Sequence, residues 1–101
     1  MTSENLARYE LVSLKLVVLC ATSGTLSAAA RKANLSLSGA SHRLTEFERT
    51  LGKRLFRRRY RGLEPTAAGW VVVRHGETIL SSVEALRVGV QSAADEGACS
   101  G

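Results

Sequence analysis

The sequence predicts a mainly α-helical domain with a three-helix core, a short β-hairpin and a long C-terminal helix. Three observations carry this. Apolar residues recur at helical spacings of three and four through most of residues 11–90. Residues that cap or stop helices divide that pattern at Gly24 and Thr25, at Asn34 and Ser36, at Gly52 and at Thr66. One stretch breaks the helical rhythm: residues 55–65, LFRRRYRGLEP, have the form of two short strands around a turn near 60–62.

Residues 1–10 are polar and of mixed charge, which predicts an N-terminal arm, loose or forming the first turn of a helix, and not a signal peptide. A first helix is expected over 11–21, where only Ser13 and Lys15 interrupt an apolar run. Leu11, Leu14, Val18 and Ala21 fall on one face, and Val17 and Cys20 widen it. Gly24 can take the left-handed conformation that ends a helix. Thr25 is the expected N-cap of a second helix over 26–33, with an inner face of Leu26, Ala29, Ala30 and Ala33. Those small side chains let two helix backbones approach closely, as a helix-turn-helix requires. Asn34 tolerates positive φ and supplies the turn.

A third helix is expected from a cap at Ser36 or Ser38 to about Leu51, stopped by Gly52. Ala40, Leu44, Phe47 and Leu51 form its buried stripe, and its other face offers Ser38, Ser41, His42, Thr45 and Arg49. Short hydroxyl side chains at the start of a helix can sink into a major groove and meet phosphates and base edges. In the hairpin, Leu55 or Phe56 and then Leu63 are the expected anchors, leaving Arg57, Arg58, Arg59 and Arg61 on a projecting wing. Thr66 then caps a helix over 67–91. Along it Val72, Gly76, Ile79, Val83, Leu86 and Val90 keep a heptad-like seam broken only by Gly76. The distal half of that helix outruns the domain and is expected to be a dimer contact; packing on a second domain is the alternative.

Charge follows the same division. The chain has 101 residues and a net charge of +5. Residues 31–61 hold ten Lys/Arg and two Glu, so that segment is +8 and the remainder −3. Six of those cations lie within nine positions, KRLFRRRYR at 53–61. One concentrated basic region suits the phosphates of a nucleic acid better than a diffuse basic surface does. The two cysteines are 79 positions apart and make neither a metal motif nor a disulfide framework; Cys20 is an expected buried thiol and Cys99 an unpaired one, as suits a reducing cytoplasm. Apolar runs such as 16–21 are too short to span a bilayer. His42 and His75 are the only histidines, neither lies in a nucleophile or metal motif, and the acidic residues form no paired site, so no enzyme, cofactor or metal is expected.

Taken together these pieces resemble the N-terminal DNA-binding domain of LysR-type transcriptional regulators. The resemblance covers residues 11–90. It rests on GTLSAAA at 24–30, Ser36 with Ser41, Leu44, Glu48, Leu51–Gly52, LFRR at 55–58 and PTAAG at 65–69. It implies a winged helix-turn-helix at 11–65, with the helix-turn-helix at about 26–45 and the wing at 55–65. A linker helix through which two subunits dimerise follows at 66–92, and a flexible tail at 93–101. By position, it implies phosphate contacts at Ser36 and Ser41, base approach at Leu37, Ser38 and His42, and a wing arginine at Arg58. The full expected DNA-contacting set adds Thr25, Ser27, Arg31, Lys32, Arg43, Thr45, Arg57, Arg59 and Arg61. The expected dimer contacts are Val72, Ile79, Val83, Leu86 and Val90.

The chain departs from the family pattern at four places. Leu37-Ser38 stands where Gln-Pro is common, Ala33 and Phe47 where leucines are, and Pro65 where leucine is. Leu37 is also in phase with Ala40 and Leu44, so it either meets a thymine methyl or joins the core. The implied partners are double-stranded DNA carrying an interrupted inverted repeat and a second copy of the chain, with higher oligomers in a full-length protein. The family's C-terminal effector domain, and with it inducer binding, is not expected in these residues. A dimerisation or protein-interaction module with only non-specific DNA affinity is the competing expectation.

Overall fold

The computed structural model describes residues 10–94; the expected arm at 1–10 and tail at 93–101, with Cys99, therefore lie mostly outside the described residues. In chain order the elements are α1 (Leu11–Ser23), α2 (Leu26–Lys32), α3 (Leu37–Leu51), β1 (Phe56–Arg59), β2 (Gly62–Pro65) and α4 (Ala67–Ser92). The expected caps form. The side-chain oxygens of Thr25, Ser36 and Thr66 accept the N–H groups of Ala28, Gly39 and Gly69 at 3.1, 3.0 and 3.0 Å. Each satisfies a donor that a helix start leaves free. Gly24 and Gly52 close α1 and α3 in the left-handed conformation, and Asn34 takes φ 59° in the turn between α2 and α3.

The core is where three helices and the foot of the hairpin meet. Leu16, Val17 and Cys20 of α1 are buried with Ala29 and Ala30 of α2 and Ala40, Leu44 and Phe47 of α3. Leu55, Phe56 and Val73 close it from the other side. Cys20 is fully enclosed, and burial, helped by the nearby charge of Glu48, pushes its thiol up to about 11. It is a packed, protonated core residue.

The inner face of α1 is rotated from the one its spacing predicts: Leu14, Val17 and Cys20 are buried as expected, but the face is not centred as expected. Ser13, Leu14, Leu16, Val17 and Cys20 are buried, Leu11 is 45% exposed, and Val18 and Ala21 are only partly covered. An almost uniformly apolar helix has no polar side to fix its rotational phase, and packing against α2, α3 and α4 chooses it instead. Helix α2 is one residue shorter than expected, ending at Lys32, with Leu26 and Ala33 at the rim of the core. Both Leu55 and Phe56 anchor the hairpin, and Leu63 is half-buried.

The antiparallel hairpin pairs Phe56 with Pro65, Arg57 with Glu64, Arg58 with Leu63 and Arg59 with Gly62. Backbone bonds tie it down at both ends: Leu63 N–H donates to the Gly24 carbonyl at 2.8 Å, and Thr66 N–H to the Leu55 carbonyl at 2.9 Å. Thr66 also donates its hydroxyl to the Arg54 carbonyl at 2.7 Å.

Helix α4 begins on the domain and leaves it. Gly69, Val73 and Gly76 are buried, and Val72 packs partly against the core. A Cβ at Gly76 would stand 3.2 Å from Val18 Cγ2, so this glycine is the close contact with α1 and not simply a gap in an apolar seam. From residue 81 to 94 every position is exposed, including Val83, Leu86 and Val90. Among the described residues no helix is long and apolar enough to cross a membrane.

Candidate nucleic-acid interface

The start of α3 is built from its cap outward. Ser36 is exposed; its oxygen holds Gly39 N–H and lies 3.5 Å from the Ser38 hydroxyl, so two hydroxyls stand together at the helix's positive end. Leu37 follows, 54% exposed, which removes it from the core. Ser38, His42 and Thr45 are exposed and Ser41 is half-buried, while Ala40, Leu44 and Phe47 hold the opposite side of α3 in place.

The wing closes one flank of this face. Thr25, Leu26 and Ser27, then Leu37, Ser38 and Ser41, and Arg58, Arg59, Gly62 and Leu63 line one open cleft of about 720 Å³. Strand alternation explains why Arg58 belongs there. It shares a face with buried Phe56 and with Leu63, whereas Arg57 and Arg59 share the other face with Glu64. Arg58 borders a second cleft with Ser41, Thr45, Glu48 and Arg54. Cationic, hydroxyl and apolar groups therefore meet along a concave strip between α3 and the wing.

Not every expected contact joins that strip. Arg43 is half-buried on the far flank of α3, beside Glu10, Ser13 and Phe47, and its Nη1 lies 3.4 Å from Glu10 Oε1. His42 borders that flank too, though it is exposed on the outward face. Arg49 pairs with Glu46 at 3.1 Å, and Arg59 with Glu64 at 2.7 Å. Arg31 and Lys32 are exposed in the last turn of α2, where cations suit the helix's negative end, and neither forms an ion pair among the described residues.

Two residues escaped the sequence reading. Glu48 is counted there only as a pattern position, yet its Oε2 accepts Leu55 N–H at 2.7 Å and lies 3.8 Å from Arg54 Nε, with its side chain 15% exposed. It fastens α3 to the foot of the wing. Tyr60, at the hairpin tip, is 97% exposed between two arginines. Its position between Arg59 and Arg61 was the available signal. Among the described residues no cluster of three or more His, Cys, Asp or Glu could hold a metal.

Comparison with known proteins bears on the same region. The model of the family described as bacterial regulatory helix-turn-helix protein, lysR family, matches residues 11–70. The HTH-type transcriptional regulator GbpR of Azospirillum brasilense is 38% identical over 78 residues, covering 77% of this chain and 23% of that protein. The chain spans about a quarter of the length of the curated relatives it matches. In three dimensions it resembles the CbnR DNA-binding domain solved with DNA, at 32% identity and TM-score 0.71, covering 82% of this chain and 93% of that one. It also resembles CbnR itself, a LysR family transcriptional regulator, at 29% identity and TM-score 0.78, covering 84% of this chain and 29% of that one.

Proposed function

Because the chain belongs to the lysR family of bacterial regulatory helix-turn-helix proteins, we propose that it binds double-stranded DNA sequence-specifically as a homodimer in the bacterial cytoplasm. The observation that carries this reading is the shared cleft, where the exposed start of α3 and Arg58 converge. The start of α3 enters the major groove, with Ser36 and Ser41 on phosphates and Leu37, Ser38 and His42 toward base edges. The wing, through Arg58 and Arg61, lies on the backbone or minor groove. Two copies joined along the free seam of α4 require an operator with two-fold symmetry, an interrupted inverted repeat. Binding, not catalysis, is the activity, with higher oligomers reserved to a full-length protein.

Selection of bound fragments from random DNA by the purified chain tests this. An inverted repeat among the winners is expected; a pool without any shared sequence would instead favour a protein-interaction module with general affinity for polyanions. Two substitutions then separate grip from readout. Arg58→Ala is expected to weaken selected and random duplexes alike and to flatten the salt dependence by about one phosphate's worth, a slope change near 0.9. His42→Ala is expected to narrow the gap between the two duplexes by about 1–3 kcal/mol. Equal loss on both DNAs would remove His42 from base reading.

Leu37 makes a sharper prediction. An exposed leucine beside two serines has no hydrogen bond to offer a base, but it can cover a thymine methyl. Replacing thymines of the selected site one at a time with deoxyuridine, which lacks only that methyl, is expected to expose one sensitive position. Leu37→Ala should abolish the sensitivity there. If no position responds, Leu37 does not read DNA.

A further inference from the structure

The four wing arginines are not equivalent, because among the described residues one of them is held in an ion pair and the other three are not. Arg59 donates from Nε and Nη2 to the same Glu64 oxygen, at 3.0 and 2.7 Å. Glu64 also stands directly across the strand pair from Arg57. Arg57, Arg58 and Arg61 form no ion pair among the described residues. Glu64 is moreover the only acidic residue from 49 to 76, so a single carboxylate lies within an otherwise cationic hairpin.

We propose that Glu64 limits the wing's sequence-independent grip on DNA by competing with phosphate for Arg59, an inference that rests on the DNA-binding reading above. A guanidinium that reaches phosphate displaces condensed counterions, and each such contact steepens the salt dependence of binding. Arg59 must leave Glu64 before it can make that contact. The Arg59 hydrogen bond, and then its charge, hold Glu64's carboxyl below the usual carboxylate range, so at neutral pH the competitor is ionised. Both partners are more than half exposed, so the pair is weak and exchangeable, as suits a competitor and not a structural lock.

The test is a cycle of four proteins, native, Glu64→Gln, Arg59→Gln and the double variant, titrated with a random-sequence duplex across a salt series. Glu64→Gln is expected to bind about three- to tenfold tighter near 0.1 M salt, with a slope steeper by about 0.9 for one added phosphate contact. On the Arg59→Gln background the same change should do nothing beyond about twofold. Equal gains on both backgrounds would mean that Glu64 acts only through the protein's general charge, and a loss on Glu64→Gln would mean that it orients Arg59 for DNA; either overturns the inference while leaving the DNA-binding reading intact. A native chain that binds no duplex overturns both.

Discussion

Gly62→Ala is expected to cost the domain about 3 kcal/mol or more, from a strained backbone together with a steric clash. Gly62 has φ 154°, where side chains other than hydrogen are rarely accommodated, and a Cβ there would collide with the Gly24 carbonyl oxygen. That oxygen is the acceptor for Leu63 N–H, so relieving the clash means giving up the bond that ties β2 to the α1–α2 turn. For a domain of this size the loss should lower the melting temperature by more than about 10 °C. Gly89→Ala is the matched control. Gly89 lies inside α4 with open space where its Cβ would go, and alanine there should stabilise by about 0.5–1 kcal/mol. Calorimetry at equal protein concentration decides the matter: if the two variants melt together, the Gly62–Gly24 contact does not hold the wing.

Leu86→Glu should leave the fold intact and remove most of the affinity for a two-fold site. Leu86 is 65% exposed and Val90 67%, so within one chain they contribute little to stability. They continue the row begun by Ile79 and Val83, and an apolar row of that length is not expected on a helix surrounded by water. A carboxylate at its centre would be buried without a partner in any dimer. Light scattering should report a monomer and circular dichroism an unchanged helix content. Affinity for the selected inverted repeat should fall by 10²-fold or more, because the second half-site no longer binds at high effective concentration. A variant that remains dimeric would move the interface elsewhere. Val72 would not serve in this test, since it packs partly on its own domain's core.

Local chemistry made much of this legible in the sequence. Thr25, Ser36, Thr66, Gly24, Gly52 and Asn34 each answer a backbone need that arises within three or four residues, so each was predictable without knowing the fold. The stripe on α3 was legible because its polar face gives the pattern a phase. The face of α1 was misjudged by about one residue because that helix offers no such contrast. Contacts across the chain were also hidden. Nothing near Glu48 announces that it will meet Leu55 N–H, and Gly76 looked like a gap in a seam until Val18 was brought against it. For the candidate interface, composition revealed the cluster of arginines but not their division. Arg58 turns toward α3 and Arg59 toward Glu64 because of strand register, which a count of charges cannot show.

Helix α4 has a mechanical consequence. It is one continuous rod of 26 residues, about 39 Å long, seated at one end on the module that carries α3. A rod fixed at its base converts rotation into displacement. Tilting it by about 10° relative to a partner rod would swing the far end by roughly 7 Å, close to two base-pair steps of the duplex. In the proposed dimer, whatever grips the distal half would thus be able to alter the separation of the two DNA-binding modules without touching either, as dividers are reset at the hinge rather than at the points.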